Sequence, residues 1–228
     1  MTPLFLSRAA LRRDAPLLAL ARALIPEDDG ARTGAAHRFV WSLFGDSPDR
    51  RRDFLWRAKD RHGFLILSSR PPEDRHGLFS LETKPFAPVL RAGQRLRFSL
   101  RANPVVAIPP AQGQRGKRHD VVMHALRAVP PRQRADARRE AMETAGRAWL
   151  DRQGERAGFR VEDGVAIDGY EQLRIPREKA PAMRLSVLEF DGVLTVTDPD
   201  ALLAGIARGF GRARAFGCGL MLIAPARA

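Results

Sequence analysis

The chain has 228 residues, room for two compact domains, and 44% of them are hydrophobic, enough to bury sizeable cores. Lys and Arg number 39 against 26 Asp and Glu, a formal net charge of +13; only Lys59, Lys84, Lys117 and Lys179 are lysines, which leaves 35 arginines. So positive a field favours a polyanionic partner, nucleic acid first, while the sole cysteine, Cys218, excludes a disulfide framework and a thiolate metal cluster. No apolar run approaches the ~20 residues of a membrane-spanning helix. The apolar patch near the N-terminus is too short for a signal peptide, so the expected location is cytoplasmic, with no membrane partner.

In chain order, residues 4–6 read as a first strand and the polar, Gly-bearing residues 27–34 as a loop. Residues 35–44 read as a helix, with Val40, Leu43 and Phe44 on one face and Gly45 as its stop. Residues 53–59 and 64–68 read as strands around an Asp-Arg-His-Gly turn; residues 78–89 carry no clear period. Residues 95–100 alternate as a half-buried strand. Residues 104–118 are rich in Pro, Gly and Arg and fit a loop. Residues 136–153 read as a helix with Met142, Ala145 and Trp149 as its ridge, and residues 159–162 and 166–175 as a hairpin across Gly164. Residues 185–196 alternate as a strand pair, or as one strand broken at Asp191-Gly192. Asp198 suits a helix N-cap with Pro199 in the first turn, followed by an apolar face of Leu202, Leu203, Ile206 and Phe210; residues 219–224 are a last strand. Strand, helix, strands and a later strand thus occur twice. The expected fold is α+β, two tandem ferredoxin-like (RRM-like) domains divided as residues 1–94 and 95–228.

Four stretches carry a resemblance. They are Ala-His-Arg-Phe-Val-Trp-Ser-Leu-Phe at 36–44, Arg-Asp-Phe-Leu-Trp at 52–56, Leu-Arg-Phe-Ser-Leu-Arg-Ala-Asn-Pro at 96–104, and Gly-Phe-Gly-Arg-Ala-Arg-Ala-Phe-Gly-Cys-Gly-Leu at 209–220, with Gly-Lys-Arg at 116–118. In order and spacing they resemble the type I-E CRISPR repeat endoribonucleases, the CasE family of the Cascade complex. The Asn-Pro block followed by the glycine-rich block is the more specific part. The resemblance covers nearly the whole chain and implies two tandem ferredoxin-like domains. It also implies cleavage of CRISPR repeat RNA at the base of a stem-loop, without metal or cofactor. The product would stay bound and join the other Cascade subunits.

The family's catalytic histidine maps onto His37. RNA is cut without metal when its own 2′-OH attacks the adjacent phosphate, which needs a base, an acid and cations for the phosphorane charge. A histidine near pKa ~6.5 serves as either base or acid. The sequence departs from the family three positions earlier, where relatives often carry tyrosine and this chain has Gly34; the only tyrosine is Tyr170. The helper role of that tyrosine does not carry over, so an arginine or water would have to assist His37, or turnover would be slow.

Two basic clusters are assigned to the RNA backbone: Arg115, Lys117 and Arg118 in the central loop, and Arg174, Arg177 and Lys179 beside the second-domain hairpin. Arg212 and Arg214 lie in the glycine-rich block, whose backbone N–H groups suit phosphate. Each arginine alone reads equally well as solvated surface, and the glycines as a helix cap and turn. The block lacks Gly-Lys-Ser or Gly-Lys-Thr, against a P-loop. The remaining histidines and carboxylates show no metal spacing. Phe98 and Phe190 sit in apolar patterns and read as core, which favours an RNA stem over a single strand stacked on a sheet. Two alternatives stay open: a stem-loop-binding subunit that does not cut, and a metal-dependent nuclease.

Overall fold

The computed structural model describes residues 3–12, 26–45, 51–108, 116–177 and 180–226. The first strand, β1 (Phe5–Leu11), outruns its apolar triplet because small residues continue the alternation: Ser7, Ala9 and Leu11 are buried on one face. Helix α1 (Asp29–Ser42) begins six residues before its expected start. Asp28 caps it, accepting from the Ala31 N–H at 2.7 Å. Its first turns look like a loop because they carry a glycine that the packing requires. A Cβ at Gly30 would lie 2.1 Å from the Arg174 carbonyl oxygen. That contact decides the sign of one substitution. Gly30→Ala gains about 1 kcal/mol of helix propensity, yet the overpacking costs about 1–3 kcal/mol or more. The variant should therefore unfold at lower temperature; an unchanged melting temperature would mean that α1 is not seated there.

Strands β2 (Phe54–Ala58), β3 (Gly63–Ser68) and β4 (Phe79–Pro85) complete the first sheet, antiparallel in the order β2-β3-β1-β4. This is the ferredoxin-like order, with residues 69–78 crossing over as bends and turns instead of a second helix. Phe54, Trp56, Phe64 and Ile66 pack with Val40, Leu43 and Phe44 of the α1 end. The opposite face carries Leu55 and Leu67, which join the core of the second unit.

The second unit contains β5 (Arg95–Ala102), β6 (Val105–Ile108), β7 (Lys117–Asp120), α2 (Val121–Ala125), α3 (Arg138–Ala157), β8 (Phe159–Val161), β9 (Ala166–Ile175), β10 (Met183–Val196), α4 (Pro199–Arg208) and β11 (Met221–Pro225). Its sheet runs β11-β5-β10-β8, with β9 also on β10. The strand order of the first unit is thus repeated, and the α+β tandem ferredoxin-like expectation holds. Three local expectations do not. β8 and β9 form no hairpin with each other: β10 is long enough to pair with both, β8 at Leu194–Val196 and β9 between Met183 and Asp191. β10 is one strand of 14 residues, unbroken at Gly192; the glycine instead admits Val165, whose Cγ2 would lie 2.7 Å from a Cβ there. The central segment is not loop at its ends, where β6 and β7 pair from Val105–Asp120 to Ile108–Lys117; residues 109–115 lie outside the described residues. Asp198 caps α4 as expected, accepting from the Ala201 N–H at 3.0 Å.

One face of the first sheet is turned to the second sheet. Beside the leucines, Arg57 donates to Ser99 Oγ at 2.7 Å and to Glu189 at 2.9 Å. Arg101 reaches the other Glu189 oxygen at 2.6 Å and Glu171 at 3.1 Å. Phe98 and Phe190 are buried, as their patterns indicate.

Candidate active site

His37 lies in the third turn of α1, not near the helix start as the shorter helix had implied. Its Nδ1 is 2.8 Å from the carbonyl oxygen of Ala215. A carbonyl only accepts, so Nδ1 carries the proton and the neutral ring keeps its lone pair on Nε2. The Phe216 ring lies 5.2 Å away, tilted by 36°, and Trp41 meets the imidazole edge-on at 6.2 Å. Burial pushes the His37 pKa below its ordinary value; the Ala215 bond opposes this, and Arg52 and Arg38 push it further down. The imidazole is therefore neutral at pH 7, with Nε2 ready to take a proton.

The Ala215 carbonyl is brought there by the glycine-rich segment. After α4 the chain passes through left-handed backbone at Gly209, Gly211, Ala213, Gly217 and Gly219. At Gly219 this freedom is needed twice: φ is +92°, and a Cβ would stand 2.7 Å from the Phe210 carbonyl. Ala213, at φ 52°, is the one non-glycine residue in this region among the described residues. The segment is tied to the end of β5, where the Gly219 N–H donates to the Arg101 carbonyl at 2.7 Å and the Arg212 N–H to that of Asn103 at 3.3 Å. The buried Asn103 side chain donates to the Ser186 carbonyl at 2.6 Å. The two motifs with the most specific resemblance thus form one structural unit.

Two cations, Arg38 and Arg52, act on the imidazole. Arg38 is exposed on the same helix, and half-buried Arg52 lies close enough to both His37 and Arg214 for their charges to interact. Arg214 donates to the Arg208 carbonyl, and Arg212 is exposed in the same segment. Of the residues singled out from sequence, His37 and Arg214 are brought together here through Arg52; Arg212 shares the segment, with its N–H on the Asn103 carbonyl. Arg174 and Arg177 are exposed at the end of β9, bordering a shallow depression with Asp28 at the start of α1. Lys117 and Arg118 are exposed on β7. Arg115 and Lys179 lie outside the described residues. Sequence reasoning missed Arg52, Trp56 and Phe216 as site residues, although Arg52 and Trp56 begin and end one of the motifs.

Gly34 sits one turn before His37, and a Cβ there would touch Ile175 Cγ2 at 3.5 Å. Tyr170 does not substitute for a tyrosine at that place: its hydroxyl donates to Asp120 at 2.7 Å, the side chain that caps α2. Burial and that carboxylate push its pKa up. Among the described residues, no three His, Cys, Asp or Glu side chains are grouped to hold a metal.

A family model described as CRISPR associated protein matches residues 4–225. The Cascade subunit CasE of Escherichia coli is 32% identical over 194 residues, 83% of this chain and 90% of that protein. The CRISPR-associated endoribonuclease Cse3 of Thermus thermophilus is 33% identical over 196 residues, 77% of this chain and 81% of that protein. The solved structure of Thermus thermophilus Cse3 bound to an RNA representing a pre-cleavage complex is similar with a TM-score of 0.69 and 27% identity, covering 98% of this chain and 100% of that one. The Asn103 and glycine-rich motifs, the doubled ferredoxin-like order and these matches over most of the chain agree: this chain belongs to the CasE/Cse3 family of CRISPR-associated proteins.

Proposed function

We propose that this chain is a CRISPR repeat endoribonuclease that cuts the precursor at the base of a stem-loop and keeps the mature guide RNA as part of Cascade. The observation that carries the chemistry is His37, fixed through Nδ1, with no hydrogen-bond partner for Nε2 among the described residues. In the reaction, Nε2 takes the proton of a 2′-OH, and the oxygen attacks the adjacent phosphorus. The 5′-oxygen leaves with a proton from water or from the imidazolium. The products are a 2′,3′-cyclic phosphate and a 5′-OH. Arg52, Arg214 and Arg38 supply positive charge for the phosphorane, the role that an arginine fork fills well. No step calls for a metal or cofactor.

Arg174, Arg177 and Lys179 form one RNA-backbone group, and Arg115, Lys117 and Arg118 another. Their exposure at Arg174, Arg177, Lys117 and Arg118 supports contact with a stem. The partners are repeat RNA and other Cascade subunits, in the cytoplasm. The units are residues 1–94 and 95–228; the strands of the first sheet fall between residues 5 and 85 and those of the second between 95 and 225, which supports that division.

Repeat RNA incubated with the protein in excess EDTA should be cut at the untreated rate. The single-turnover rate should rise with pH as His37 loses its proton. Its pKa lies below the ordinary value of 6.5, so the rise should end before neutrality. Loss of cleavage in EDTA would point to a metal-dependent nuclease. A rate still climbing about tenfold per unit above pH 7 would assign the base to another group. Gly34 favours one second reading, a subunit that holds RNA without cutting; uncut RNA that stays bound would support it.

A further inference from the structure

We propose that Trp56 is a positioning residue for His37: through the Ala215 carbonyl that both side chains share, it keeps the imidazole in the Nδ1–H form with Nε2 open to RNA. This rests on the reading of His37 as the base. The Trp56 indole N–H donates to the Ala215 oxygen at 3.0 Å, and His37 Nδ1 to the same oxygen at 2.8 Å. A carbonyl has two lone pairs, so both donors are accommodated.

The two donors are not equivalent. Trp56 is 1% exposed. It sits in the middle of β2 opposite Ile66, with the Phe64 ring edge-on at 5.7 Å. A Cβ at Gly217 would lie 3.1 Å from its ring, so the indole underlies the turn that carries Ala215. An indole N–H only donates, and one buried this deeply must keep its partner. His37 is only partly buried, on a helix. The acceptor between them belongs to a three-residue turn, Arg214–Phe216, flanked by left-handed Ala213 and Gly217. No sheet ladder fixes that peptide. Trp56 therefore holds the carbonyl, and the carbonyl holds the imidazole. Without the indole donor that peptide keeps only the bond its own N–H makes within the turn, from Phe216 to the Ala213 carbonyl at 2.8 Å; the carbonyl can then tilt, and the ring can take its proton on Nε2, where the reaction needs a lone pair.

The test uses the full chain. Trp56 is replaced site-specifically by its isostere with sulfur in place of the indole N–H, and in a second variant by phenylalanine (Trp56→Phe). Three quantities are measured: single-turnover cleavage of repeat RNA, RNA affinity, and the ¹⁵N shifts of the His37 ring in the free protein. Cleavage should fall roughly ten- to hundredfold, as misplaced catalytic groups do. Affinity should stay within about threefold, and the ring should change from Nδ1–H to a mixture of tautomers. Phe64→Leu disturbs the same core but leaves both hydrogen bonds, and should keep the wild-type ring signature and rate. A wild-type ring signature in the isostere overturns the hydrogen-bond argument, as does an equal loss of rate in Phe64→Leu. A tautomer change with undiminished cleavage overturns the proposal by a different route, because His37 is then not the base, and His37→Ala would retain activity as well.

Discussion

Replacing His37 with alanine should lower single-turnover cleavage of repeat RNA by roughly 10²–10⁴-fold, the usual loss when a general acid–base group is removed. The fold fixes the His37 imidazole by one nitrogen and gives the other no partner among the described residues; Arg38 and Arg52 act on the ring, and Arg214 on Arg52. The lost side chain sits at the edge of an aromatic group formed by Trp41 and Phe216, so the fold should survive the truncation. The arginines assigned to the RNA backbone are untouched, and repeat affinity should stay within a few-fold. Cleavage within a few-fold of wild type, measured at saturating protein, would remove His37 from the mechanism.

A repeat RNA with a 2′-deoxy sugar at the scissile nucleotide should bind as tightly as the all-ribose substrate and remain intact. One oxygen is removed, and in the proposed chemistry that oxygen is the nucleophile. Neither the stem nor its phosphates change, so the salt-dependent part of binding is preserved. The normal substrate should yield a 2′,3′-cyclic phosphate, or the 3′-phosphate formed by its hydrolysis, together with a 5′-OH. Cutting of the deoxy substrate would require an external water as nucleophile, and the role given to His37 Nε2 would then have to change.

The repeated strand–helix pattern was legible because core positions alternate cleanly in strands such as β5, where Leu96, Phe98, Leu100 and Ala102 are all buried. The start of α1 was not. Gly30 and Gly34 lower helix propensity locally, and only the close approach of β9 explains why Gly30 stands in a helix. The partners of β8 and β9 were equally hidden, since a nearby turn glycine suggests a hairpin whereas the long β10 offers both strands a better ladder. His37 could be named from its motif. Its orientation could not, because the atom that sets it lies 178 positions away. Arg52 and Trp56 stand in a sequence motif that shows no role for them, because each meets the site only when the glycine-rich segment is folded against it.

The shared carbonyl makes the two halves of the chain chemically dependent on each other. His37 and Trp56 are contributed by the first unit and Ala215 by the second. Neither unit alone specifies where the imidazole proton resides. The Ala215 oxygen is the atom through which the second unit reaches both side chains. The doubled architecture is therefore more than two platforms for a ligand. If His37 is the base, one half carries the reactive group and the other sets its protonation geometry.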